Sequence, residues 1–162
     1  MNLEAQRISP APIRKTLRVR ASQQKAFNTF VGNMGGWWLK THSLLGSPQK
    51  DVVIEPHAGG RWYEIGEDGS EKTWGRVIAW DAPNGVVLAW QLDAEWSYDP
   101  DFETTIEVGF AAEGEHTIVT FEHRDLERFG EQAEKVRGDA GGGMDAGWQQ
   151  LLDNYVATAE GD

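Results

Sequence analysis

The sequence predicts an α+β fold of the helix-grip kind: a curved seven-stranded antiparallel sheet wrapped around a long C-terminal helix, with short helices after the first strand. Three observations carry it. A period-two segment passes into helical spacing near the start, six short extended runs separated by turn residues occupy 51–123, and an apolar stripe of about four helical turns ends the chain. Runs joined by tight turns pair as antiparallel neighbours, so the sheet is expected to be a meander. Only a strongly curved sheet buries the stripe of a terminal helix.

Residues 13–21 place Ile13, Lys15, Leu17, Val19 and Ala21 on one side and Arg14, Thr16, Arg18 and Arg20 on the other, the pattern of a half-buried strand. Ser22 reads as an N-cap, and Ala26, Phe27, Phe30 and Val31 recur at helical spacing up to Gly32. Residues 33–36 are expected to break that helix, and Trp37, Trp38 and Leu39 offer a second apolar turn. The extended runs are 51–55, 61–65, 72–80, 85–92, 102–112 and 116–123, punctuated by Pro56, Asp68-Gly69 and the 81–85 turn. Leu126, Phe129, Ala133 and Val136 then mark a short amphipathic segment that stops at Gly138. A Gly141-Gly142-Gly143 hinge precedes the last helix, whose stripe is Met144, Trp148, Leu151, Leu152, Tyr155 and Ala159.

Composition narrows the function. The 162 residues carry 15 Lys and Arg against 26 Asp and Glu, a formal charge of −11. Length and smooth composition predict one domain over 1–162, with its core at about 13–159. The absence of cysteine excludes disulfides and cysteine–metal sites. Residues 1–10 lack an apolar run behind a basic start, and no stretch approaches the ~18 apolar residues of a membrane span, so a cytoplasmic protein is expected. Nucleic acid is an unsuitable partner, because neutralising phosphates needs clustered Lys and Arg. Between Arg76 and Arg124 there is no Lys or Arg, whereas Asp81, Asp93, Glu95, Asp99, Asp101, Glu103, Glu107, Glu113, Glu115 and Glu122 supply ten carboxylates. That half is expected to be a solvated acidic face, suited to a basic protein partner if to any.

Several motifs in fixed order carry a resemblance. They are the opening strand with Ser22-Gln23-Gln24-Lys25-Ala26-Phe27, the Trp37-Trp38 pair, and Ile54-Glu55-Pro56-His57-Ala58-Gly59-Gly60-Arg61-Trp62. Gly75-Arg76-Val77-Ile78-Ala79-Trp80-Asp81-Ala82-Pro83 follows, then Leu88-Ala89-Trp90, Thr120-Phe121-Glu122-His123 and Gly147-Trp148. Together they resemble the START/Bet v 1-like (SRPBCC) superfamily, and within it the family of activator of Hsp90 ATPase homologues, over nearly the whole chain. The resemblance implies a helix-grip fold, but its members include lipid carriers, hormone receptors, polyketide cyclases and co-chaperone domains, and fold does not fix function. Two departures stand out: no second module for clamping a chaperone is visible, and 126–143 is longer and richer in glycine than a connection requires.

A sheet curved around a helix leaves a space, and period two says which side chains face it. With Trp62, Trp80 and Trp90 inward, the inward set is Trp62 and Glu64; Trp74, Arg76, Ile78 and Trp80; Val86, Leu88, Trp90 and Leu92; Ile106, Val108 and Phe110; and Val119, Phe121 and His123. Met144, Trp148, Leu151 and Tyr155 face them from the helix. Glu64, Arg76, His123 and Tyr155 are the polar members. Counting from the 69–70 turn puts Glu64 opposite Gly75 and within reach of Arg76, so a buried cross-strand ion pair is expected, either plugging the barrel mouth or anchoring a ligand. The candidate ligand-binding residues are therefore Trp37, Trp38, Trp62, Glu64, Trp74, Arg76, Trp90, Phe110, His123, Trp148 and Tyr155. Trp37, Trp38 and Trp96, placed in loop or turn segments, are the tryptophans best suited to contact a partner. His123 and Glu64 are weak catalytic candidates, lacking a nucleophile at motif spacing. No HExxH pattern, GxSxG elbow or P-loop occurs, and neither metal nor cofactor is expected. Three functions follow in order: binding a small apolar or aromatic molecule, a cyclase- or hydrolase-like enzyme, and a protein that modulates a chaperone ATPase.

Overall fold

The computed structural model describes residues 10–161. Met1 through Ser9, on which the reading of a missing signal peptide rests, lie outside them, as does Asp162. Strand β1 (Ile13–Val19) leads into α1 (Gln23–Gly32) and the single turn α2 (Met34–Trp37). Six strands follow, β2 (Gln49–Ile54), β3 (Arg61–Gly66), β4 (Glu71–Asp81), β5 (Gly85–Trp90), β6 (Thr104–Glu113) and β7 (His116–Arg124). A 3-10 segment (Leu126–Gln132), α3 (Ala133–Arg137) and α4 (Gly143–Glu160) complete the chain. The sheet order β1-β7-β6-β5-β4-β3-β2 is the expected antiparallel meander, closed at one edge by β1. None of the described helices is long and apolar enough to cross a membrane.

The elements form for the reasons their sequences supply. Ser22 caps α1, its Oγ accepting the Lys25 N–H at 3.1 Å. Ala26, Phe27, Phe30 and Val31 are the buried stripe of that helix. The stripe of α4, namely Met144, Trp148, Leu151, Leu152, Tyr155 and Ala159, is buried throughout. Under α1 the space between sheet and α4 is filled by rings at right angles: Phe30 stands 5.2 Å from Tyr155, and Phe110 lies 5.3 Å from Phe27. Each such side chain stabilises the fold by roughly 2 kcal/mol through burial alone.

Three details differ from expectation. The break after α1 is confined to Asn33, because Met34–Trp37 forms a turn of helix with Trp37 fully buried beneath it. The connection after β7 is mostly 3-10, kinked at Gly130 where φ reaches 68°. The third concerns β4, which carries two irregularities in register, one between Trp62 and Tyr63 of its partner and one between its own Val77 and Ala79. Each adds a residue and reverses the alternation. Trp74, Gly75 and Val77 are buried while Arg76 and Ile78 are exposed, so these two, expected inward, face out. Glu64 consequently opposes Lys72, not Gly75.

The carboxylates of the outer sheet face are not a free acidic surface. Glu122 pairs with Arg14 (2.6 Å) and Arg124 (3.1 Å), Glu107 with Arg124 (2.7 Å), Glu113 with Arg18 (3.5 Å) and Glu103 with Arg76 (2.6 Å). Antiparallel order brings arginines of β1, β4 and β7 beside acids that sequence distance separates from them. The neighbouring Arg14 guanidinium, and then Arg124, hold the Glu122 carboxyl below its ordinary value.

Candidate functional site

The hollow expected between sheet and last helix lies toward one end of α4. It is a cleft of about 610 Å³ between the loop after α2, the end of β5, the 93–96 turn, α3 and the first half of α4. That volume falls within the roughly 300–1,000 Å³ of small-molecule sites. Its walls are the indoles of Trp38, Trp74, Trp90 and Trp148, with Leu44, Leu92, Val136, Met144 and Leu151 between them and Trp96 at the mouth. The rings meet at steep angles: Trp38 and Trp148 at 84° with centroids 5.8 Å apart, Trp90 and Trp148 at 63° and 5.9 Å, Trp90 and Trp96 at 74° and 6.0 Å. A more open depression along α1 is lined by polar residues and contains no aromatic ring.

Trp96 owes its place to the turn before it. Asp93 Oδ1 accepts the N–H groups of Glu95 (2.9 Å) and Ser97 (3.0 Å), and the Trp96 N–H donates to the Asp93 carbonyl at 3.0 Å. The turn holds Trp96 at φ 63°, in the left-handed region that a bulky side chain rarely occupies, and leaves it 49% exposed. Such strain costs on the order of 1–3 kcal/mol and clusters at functional positions.

Glu64 reaches the site from behind. It is fully buried, and its oxygens accept from Ser43 Oγ (2.5 Å), the Leu44 N–H (3.0 Å), Gln49 Nε2 (3.2 Å) and Trp74 Nε1 (2.8 Å). Ser43 and Leu44 belong to the cleft, so this one carboxylate ties the loop wall to the sheet. The expected ion pair with Arg76 is absent because the bulge turns Arg76 outward onto Glu103. His123 is fully buried beneath the wall; Trp148 Nε1 donates to its Nδ1 at 3.2 Å, so the proton sits on Nε2 facing Thr104 Oγ1 at 2.8 Å. Burial pushes the imidazole down from 6.5 to about 3, leaving it neutral with both nitrogens engaged. That is the arrangement of a structural histidine, and neither His123 nor Glu64 lines the cleft. Tyr155 donates its hydroxyl to the Ala26 carbonyl at 2.7 Å, and burial raises its phenol well above the ordinary value.

Of the sequence candidates, Trp38, Trp74, Trp90 and Trp148 line the cleft. Trp37, Trp62, Phe110 and Tyr155 are buried in the packed interior, and Trp37 anchors its indole N–H on the Thr29 carbonyl. Sequence reasoning missed Thr41, His42, Ser43 and Leu44, the turn residues Asp93 and Ala94, and Gln132 and Lys135 near α3. The only signal for the last group was the excess of glycine over 126–143. Among the described residues no group of three His, Asp or Glu side chains is arranged to hold a metal ion.

Comparisons with known proteins agree with this architecture. Residues 20–160 match the family model described as Activator of Hsp90 ATPase homolog 1-like protein. No curated protein matches the chain. Among solved structures, an anthrahydroquino-gamma-pyrone synthase, Txn09, is 30% identical with a TM-score of 0.63, over 92% of this chain and 97% of that one. The self-sacrificing resistance protein CalC from Micromonospora echinospora is 30% identical with a TM-score of 0.64, covering 92% and 94%. A protein of Nitrosomonas europaea, NE0264, shares the fold at 10% identity, with a TM-score of 0.65 over 94% and 98% of the two chains.

Proposed function

The chain belongs to the Activator of Hsp90 ATPase homolog 1-like family, and from that premise we propose that it binds a small, flat apolar or aromatic molecule in the cleft between the sheet and the first half of α4. The observation that carries this reading is the set of steeply angled indoles around an unfilled space of about 610 Å³. Aromatic walls favour flat aromatic guests, since offset and edge-to-face contacts each add about 0.5–1.5 kcal/mol beyond burial. An anthrahydroquino-gamma-pyrone synthase, 30% identical, supports the same class of guest.

Titration of the intrinsic tryptophan fluorescence with polycyclic aromatics and, separately, with fatty acids tests this. Saturable quenching by the aromatics is expected, weakened about tenfold in Trp96→Ala, the loss of one ring contact. A flat response to both classes would remove the proposal. Cyclisation of a bound precursor is a second reading, favoured by the similarity to the synthase; its test is turnover in the same cleft. Modulation of a chaperone ATPase finds less support, because Glu103, Glu107, Glu113 and Glu122 of that acidic half are already paired with arginines.

A further inference from the structure

The charge of the guest follows from what the walls offer it. All four wall indoles donate their N–H to the protein: Trp38 to the His42 carbonyl (3.0 Å), Trp74 to Glu64 (2.8 Å), Trp90 to the Leu92 carbonyl (3.1 Å) and Trp148 to His123 (3.2 Å). The Ser43 hydroxyl is donated to Glu64 as well. A guest against the indole walls therefore meets ring faces and edges with no free N–H among them, and the side-chain donors of the lining, Thr41, His42, Gln132 and Lys135, stand exposed at the rim. Ring faces carry the negative end of the aromatic quadrupole and attract cations. Donation to a carboxylate enriches the Trp74 ring further.

Fixed charge points the same way. Both oxygens of Glu64 act as acceptors, each from two neutral groups, and three of those four donors belong to residues of the cleft wall. Among the described residues no Lys, Arg or His forms an ion pair with it. Glu64 lies behind the lining, so its charge acts on the cleft only through those three donors. On the opposite wall Asp93 commits Oδ1 to its turn and leaves Oδ2 without a hydrogen-bond partner among the described residues. Lys135 is the opposing ammonium on the lining, but it is exposed on α3 and screened by solvent, whereas Glu64 is not. His42 is likewise exposed at the mouth.

We propose that the cleft takes an organic cation, a flat aromatic or apolar body bearing a protonated amine, whose ammonium group lies against the indole faces on the side of Asp93. This rests on the cleft being a binding site, and the experiment separates the two claims. Anthracenylmethylamine, anthracenemethanol and anthracene carboxylate have nearly the same shape and differ in charge. Calorimetric titration of the wild type, Asp93→Asn and Lys135→Gln with each is the test. The amine is expected to bind about tenfold more tightly than the alcohol, with the carboxylate weakest. Asp93→Asn keeps the turn-capping oxygen and should erase the advantage of the amine. Lys135→Gln should enlarge it, which provides a readout if the Asp93 variant does not fold. Equal binding of amine and alcohol, or tighter binding of the carboxylate, overturns the inference while the cleft remains a binding site. Failure of all three probes to bind overturns the binding site and the inference with it.

Discussion

Gly75 pairs with Trp62 on one side and Trp90 on the other, at the point where β4 loses its alternation. A Cβ there would overlap the Ala89 carbonyl oxygen, so no other residue lets the two strands approach. Gly75→Ala is expected to lower the unfolding free energy by roughly 3 kcal/mol in a urea titration. The bulge explains why Arg76 was misplaced by a strict count of two, since a single glycine in a strand announces an irregularity but not its register. His123 faces inward, as the count of two predicts, and its environment gives a prediction of opposite character. Its folded value of about 3 lies below the ordinary 6.5, so as pH falls the unfolded chain takes up the proton first. The stability it confers is complete above about pH 6.5 and declines toward pH 3 by about 1.4 kcal/mol per unit. Unfolding midpoints measured between pH 7 and pH 4 should show this acid slope in the wild type and a shallower one in His123→Gln; parallel slopes would contradict it.

The strands and α4 were legible because their apolar positions repeat at periods of two and 3.6, and burial follows those repeats. The loop after α2 and the 93–96 turn have no such repeat and α3 shows only the end of a short one, and these three form the rim of the cleft. A few side chains hold them in place: Glu64 ties the loop, Asp93 the turn and Asp145 α3. Asp145 sits in the first turn of α4, which lacks a side-chain N-cap, and meets Lys15 of β1 at 2.7 Å and Arg137 of α3 at 3.6 Å. All three side chains are mostly buried, so Asp145→Ala leaves Lys15 without its partner, while Arg137 keeps the carbonyls of Ala11, Pro12 and Gly138, and should cost about 2–3 kcal/mol. Hydrogen exchange should then show faster opening of α3 and the start of α4 than of β6 and β7; uniform change across the fold would contradict the role of Asp145 as a local tie. Gly138 and Gly143 meet so closely that a Cβ on Gly138 would overlap the Gly142 carbonyl, and both have positive φ.

Across the molecule the interior is divided. Phenylalanines of α1, Trp37 and Tyr155 fill the half beneath α1, and the indoles of β4, β5 and α4 surround an unfilled half beside α3. Counting inward positions predicts both halves as one cavity, because period two reports which way a side chain points and not whether another ring already occupies the space. Gly147 marks the difference. It lies on α4 at the cleft, with open space where a side chain would begin. Gly147→Phe should place a ring in the cleft while gaining up to about 0.5 kcal/mol of helix propensity. Fluorescence titration of this variant beside the wild type, each with a flat aromatic guest, tests the binding cleft most directly. Saturable binding by the wild type and none by an equally stable Gly147→Phe is expected; undiminished binding by the variant would place the guest elsewhere and contradict the account.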